Sequence, residues 1–172
     1  MQMGLSPIRV AVNVSVIQLR DSGFIQKVTD ILYRTKLDPK YLELEITENV
    51  ALLESEMIIE RLAALRNMGI SLAIDDFGME YSSLNRIKSF PVDRLKIDMN
   101  FVQGILTNSK DRAIIEVIIN LAKNLNLKVI AEGVEESCQV EFLRKLNCDE
   151  MQGFYFYRPI EADEMEALLR TL

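Results

Sequence analysis

Six short apolar runs in this 172-residue chain close on a side chain that offers oxygen: Asn13, Glu45, Asp75 with Asp76 beside it, Asp98, Glu132 and Gln152. The chain contains no histidine and no tryptophan. That removes Ser-His-Asp triads, Cys-His nucleophiles, histidine-rich zinc sites and histidine general bases, and leaves the chemistry to carboxylates, amides, Lys and Arg. One acid after a strand is ordinarily a helix N-cap. A recurrent set is different, because carboxylates held close together repel and become tolerable when cations neutralise them. Oxygen-only ligands suit Mg²⁺, Mn²⁺ or Ca²⁺ better than zinc or copper. Adjacent Asp75 and Asp76 can serve two neighbouring ions, the arrangement used for phosphodiester cleavage.

Such a set works only if the fold gathers it. The runs at 8–15, 41–47, 70–75, 92–98, 127–132 and 151–156 are β-branched or aliphatic and read as strands. Between them Ile58, Leu62, Leu65 and Met68 form one helical stripe, and Ile114, Ile118, Leu121 and Leu125 another, both predicting core-facing helices. Gly69, Asn126 and Asn147 each follow a helical stretch and precede a strand, where a left-handed residue just past the helix end belongs. Strand–helix alternation predicts an α/β fold with a parallel sheet and covering helices. The runs VAV and LAI predict strands buried on both faces. In a parallel sheet all carboxyl ends lie on one side, and in a barrel they ring one mouth.

Composition sets the outer bounds. Hydrophobic residues make up 49% and charged residues 27%, which describes a soluble globular chain, and no linker or low-complexity tract divides it. A formal net charge of −6 argues against a nucleic-acid-coating surface. It leaves room for an anionic substrate, since bound cations reverse the local field. Cys138 and Cys148 are too few for a cysteine zinc site. On one helix they would sit roughly 15 Å apart, against about 5.5 Å for a disulfide, so two reduced thiols in a reducing compartment are expected. The start MQMGLSPIRV lacks the basic-then-apolar layout of a signal peptide. No apolar run approaches the ~20 residues of a membrane span. A cytoplasmic chain without direct membrane insertion is the expectation.

The motifs AVNVS, ELEITE, DDFG followed by YSSL, PVDRLKID, AEGVE and QGFYFYRP resemble, in order and spacing, the EAL-type cyclic di-GMP phosphodiesterases, from about Ile8 to Leu169. The resemblance implies a modified TIM (β/α)8-type barrel that hydrolyses cyclic di-GMP to linear pGpG with two Mg²⁺ or Mn²⁺ ions. By motif, Asn13, Glu45, Asp75, Asp76, Asp98 and Gln152 are implied as metal ligands, Glu132 as general base, and Lys96 as the cation that holds the attacking water or the developing phosphoryl charge. Gln18, Glu135, Gly153 and Pro159 are implied at the substrate. Glu48 is implied to steady the loop formed by Phe77, Gly78 and Tyr81.

Two departures bear on these expectations. The Glu-Ala-Leu signature has no counterpart before Asn13, so about six βα units of an incomplete barrel are expected, with residues 1–172 a single partial EAL domain. The letters Glu166-Ala167-Leu168 fall in the last helix, where Met165, Leu168 and Leu169 make an apolar face, and read as coincidence. Met79-Glu80 stands where the family has a small residue and then glycine in a loop that couples dimerisation to metal binding. Two functions stay open. One is a cyclic di-GMP phosphodiesterase, weak or inactive in this stretch alone. The other is a non-catalytic EAL module that binds cyclic di-GMP or a protein. Expected partners are cyclic di-GMP, a further copy of the chain, and GGDEF or sensory domains upstream, with no nucleic acid.

Overall fold

A computed structural model describes residues 7–52, 55–79, 87–88 and 90–171. Glu80 and Tyr81, with the rest of 80–86, lie outside the described residues. Six strands are present among those described: β1 (Val10–Asn13), β2 (Leu42–Thr47), β3 (Ser71–Phe77), β4 (Arg94–Ile97), β5 (Lys128–Ala131) and β6 (Glu150–Met151). They pair in sequence order and every pairing is parallel. The result is a six-stranded α/β half-barrel, open between β1 and β6, as the alternating pattern implied.

Among the described residues, eight helices longer than a single turn accompany the strands: α1 (Val16–Arg20), α2 (Phe24–Thr35), α3 (Glu48–Leu52), α4 (Glu56–Asn67), α5 (Met99–Gly104), α6 (Ser109–Asn124), α7 (Ser137–Lys145) and α8 (Ala162–Leu169). Parallel neighbours demand such crossovers, because a strand must return to its starting end before pairing again. The alternation within strands sorts the two faces. Leu44, Ile46, Leu72, Ile74, Leu95 and Ile97 point into a core shared with Ile58, Leu62 and Leu65 of α4 and with Ile115, Ile118 and Ile119 of α6. Glu43, Glu45, Arg94 and Lys96 occupy the opposite, inner face and are also buried.

Helix ends follow local chemistry. Gly69, Asn126 and Asn147 have φ of 92°, 57° and 54°, so each takes the left-handed position expected past α4, α6 and α7. Ser15 and Gln18 form a capping box that starts α1. The two cysteines are free thiols, and burial pushes the Cys148 thiol up to about 11.

Three expectations need correction. β1 is exposed along its whole length, not buried on both faces, because it is an edge strand. The run at 151–156 is not a strand: β6 ends at Met151, and the chain turns at Gly153, whose carbonyl accepts from the Phe156 backbone N–H at 3.0 Å. The inward face of α6 is Ile115, Ile118, Ile119 and Ala122, while Ile114 points outward and Leu121 and Leu125 are only half-buried.

Candidate functional site

The inner face carries two charged layers, built by the period of two along β2 and β4. In the lower layer Arg94 Nε meets Glu43 at 3.0 Å and its terminal nitrogen meets Glu150 at 2.6 Å. Arg9 adds longer contacts of 3.7 Å to Glu43 and 4.0 Å to Glu150, and the Ser71 hydroxyl donates to Glu43 at 2.7 Å. Two cations face two carboxylates, so this layer is balanced.

The upper layer, one pleat nearer the carboxyl ends, is not. Lys96 Nζ lies 2.7 Å from Glu45, 2.8 Å from Asp75 and 2.8 Å from Glu132. One cation there answers three carboxylates, with Asp76 and Asp98 close by. Burial disfavours the Lys96 charge, yet hydrogen bonds to Asp75, Glu132 and Glu45 outweigh it and hold its pKa above the ordinary lysine value. Burial pushes the Glu132 carboxyl above its ordinary value although Lys96 pulls the other way.

Consecutive strand residues normally face opposite sides, so Asp75 and Asp76 should diverge. They do not, because the β3–β4 register shifts between Ile74 and Phe77 and Asp76 adopts φ 54°. This bulge brings carboxylate oxygens of Asp75, Asp76 and Glu132 within 4.8 Å of one another. Asp98 begins α5 and accepts from the Asn100 backbone N–H at 2.7 Å. Burial, then the charges of Asp75 and Asp98, raise the Asp76 carboxyl above its ordinary value. Close-set, oxygen-only, under-compensated donors fit a hard divalent cation.

The remaining sequence candidates sit at strand ends and on the segments that follow them. Asn13 sits at the mouth, registered against Glu45. Buried Glu48 accepts the Gly78 backbone N–H at 3.0 Å, which ties α3 to the turn after β3. Phe77 lies in the hydrophobic core. Gln152 and Gly153 line a cleft of about 370 Å³ with Phe156, Tyr157, Glu45 and Ala11 between the two sheet edges. A Cβ at Gly153 would collide with the Val134 backbone, so only glycine permits that approach. Gln18 spends its side-chain oxygen on Ser15 at 2.9 Å and is exposed. Glu135 and Pro159 are exposed too.

Sequence reasoning missed three residues. Glu43 and Arg94 each stand two positions before a residue that was singled out, and that spacing alone places them on the same face. Gln139, buried in α7, accepts the backbone N–H groups of Glu135 and Glu136 at 2.7 and 2.9 Å and donates to the Val102 carbonyl at 3.2 Å. It braces the loop that follows Glu132.

Comparison with known proteins gives one answer. The EAL domain family model matches residues 1–159. The bifunctional diguanylate cyclase/cyclic di-GMP phosphodiesterase MucR of Pseudomonas aeruginosa is 41% identical over 158 residues, covering 92% of this chain and 23% of that protein. The cyclic di-GMP phosphodiesterase NbdA of the same organism is 40% identical over 168 residues, covering 98% and 22%. The chain therefore spans about a quarter of the length of these curated relatives. Among solved structures, the MucR phosphodiesterase in complex with c-di-GMP superposes with a TM-score of 0.87 at 41% identity, over 91% of this chain and 64% of that one. The manganese/cy-diGMP complex of Klebsiella pneumoniae BlrP1 gives 0.80 at 30% identity, over 88% and 39%.

Proposed function

This chain belongs to the EAL domain family, and on that premise we propose that it hydrolyses one phosphodiester bond of cyclic di-GMP to give linear pGpG, with Mg²⁺ or Mn²⁺ as cofactor. The observation that carries the reading is the under-compensated upper layer: carboxylates from three strand units converge on Lys96, and three carboxylates lie within 4.8 Å of one another. Asn13, Glu45 and Asp75 would hold one ion, Asp76 and Asp98 a second, with Glu132 beside them as the base. Gln152 closes the set at the mouth. Bound there, such ions supply Lewis-acid polarisation of the phosphodiester and counter-charge for its oxygens.

The chain's own residues do the rest. Glu132, held above the ordinary glutamate range by burial, is a stronger base than a solvated carboxylate. It takes the proton of the water whose oxygen attacks phosphorus, and the phosphorus–3′-oxygen bond breaks as the leaving oxygen takes a proton from solvent. Lys96 fixes the Glu132 carboxylate at 2.8 Å. Gly153 and Pro159 belong to the substrate wall, with Glu135 at its rim and Gln18 reached once it gives up its cap. Residues 1–172 act as one partial domain, in the cytoplasm, within a longer signalling protein that carries a diguanylate cyclase or sensory domain. Among the described residues no helix is long and apolar enough to cross a membrane.

The open side of the half-barrel leaves the substrate one wall short, so turnover by this stretch is slow. Single-turnover assays with the protein in excess, at millimolar Mn²⁺, should convert cyclic di-GMP to the linear dinucleotide on chromatography. Glu132→Gln should lower that rate by about 10²-fold or more. Recovery of bound but intact cyclic di-GMP from the unsubstituted chain would overturn the reading in favour of a receptor.

A further inference from the structure

An ammonium has three protons, and Lys96 has three carboxylate acceptors at 2.7 to 2.8 Å with its side chain 5% exposed. With the ring intact it has no N–H left for water or substrate. It engages a single oxygen of each partner: Oε1 of Glu45, Oδ1 of Asp75 and Oε1 of Glu132. The contacts leave the second oxygens of Asp75 and Glu132 unengaged by Lys96, and carboxylate oxygens of both residues lie within 4.8 Å of Asp76. Through these contacts β4 is tied to β2, to β3 and to the residue that follows β5.

We propose that Lys96 is a positioning residue, a built-in cation that holds the carboxylate ring assembled before any metal arrives and turns the free oxygens toward it. The proposal rests on the metal-dependent reading above and goes beyond it, since it concerns the metal-free chain. Lower in the same face, Arg94 does the equivalent for Glu43 and Glu150, but there the charges balance. In the upper layer Lys96 neutralises only part of the ring, which leaves enough negative charge to bind a divalent ion without leaving so much that the metal-free strands separate. Without Lys96, three buried or half-buried carboxylates face one another across adjacent strands, and removing one partner from such a cluster is strongly destabilising. A divalent ion would then carry the whole counter-charge, and folding would become metal-dependent.

The test is the thermal stability of the chain carrying Lys96→Met, in EDTA and in millimolar Mn²⁺, with calorimetric Mn²⁺ titration alongside. In EDTA the melting temperature should fall on the order of 10 °C. Mn²⁺ should recover much of that loss, so the metal-induced shift in the variant exceeds that of the unsubstituted chain. An unchanged melting temperature in EDTA, or a metal shift no larger than in the unsubstituted chain, would overturn the proposal. If Lys96→Met does not fold without metal, Glu45→Gln in the same background removes one of the repelling charges. That double variant should fold and melt above the single one, and failure to do so counts against the proposal. If the unsubstituted chain shows neither heat nor shift with Mn²⁺, the metal reading fails instead. Lys96 is then judged on the EDTA melts of the single and double variants.

Discussion

Asp76 holds a left-handed backbone at φ 54° inside a strand, a position that costs a non-glycine residue energy, least for Asp and Asn. The paired aspartates are plain in the sequence. The bulge that turns both to one side is not, because no glycine or proline marks it and it comes from the register shift against β4. The upper carboxylates were legible because each ends a strand, whereas Arg94 and Glu43, mid-strand and charged, look like solvated residues until their pairing is seen. The raised Asp76 pKa has a direct consequence. A group whose folded pKa is raised contributes stability below its ordinary value, and loses that contribution as pH rises through the folded value. At neutral pH the Asp76 charge therefore opposes folding of the metal-free chain. Asp76→Asn keeps the left-handed tolerance and removes the charge. In EDTA its melting temperature should exceed that of the unsubstituted chain at pH 7, the difference shrinking toward pH 4, while the Mn²⁺-induced shift at pH 7 becomes smaller. Circular dichroism melts check all three, and a lower melting temperature at pH 7 would contradict the electrostatic account.

At the level of elements, helix ends were readable because Gly69, Asn126 and Asn147 carry a local backbone preference that no tertiary contact has to supply. The face of α6 was not. Its sequence AIIEVIINLA is apolar nearly all round, so two helical stripes fit the same letters, and packing against β4 and β5 selects the one through Ile115. Ile115 is fully buried, whereas Ile114 is 36% exposed. Ile115→Ala should therefore cost about 2–5 kcal/mol, the usual loss for truncating a packed isoleucine. Ile114→Ala should stay within about 1 kcal/mol. Urea unfolding of the two variants separates them, and equal losses would mean that the helix is rotated from the face described. The aromatic run Phe154–Tyr157 misled in another way. Its residues favour strands, but the close approach of Gly153 to Val134 bends the chain there, and all four rings are left exposed.

The whole molecule inherits a problem that none of its elements has alone. Each strand of a closed barrel has two neighbours, but among the described residues β1 and β6 have one each. No described strand pairs with the outer edge of β1, and such edges template further pairing unless charge, proline or a bulge blocks them. Little does so here. Val10 and Val12 are 49% and 46% exposed on the side where other strands carry helix-covered leucine and isoleucine. Phe154 and Phe156 lie exposed beyond β6. Arg9 reaches Glu150 across the gap at 4.0 Å, too long and too solvated to substitute for a hydrogen-bonded strand. A net charge of −6 spread over the surface gives weak repulsion at physiological salt. Edge and apolar exposure together should therefore prevail, and the chain should associate with itself at micromolar concentration. Multi-angle light scattering should report a mass of two chains or more. Val12→Lys, which puts a charge on the exposed edge strand, should shift the population toward monomer. A monodisperse monomer of the unsubstituted chain would mean that the edges of β1 and β6 are satisfied within one chain, and the association account would fall.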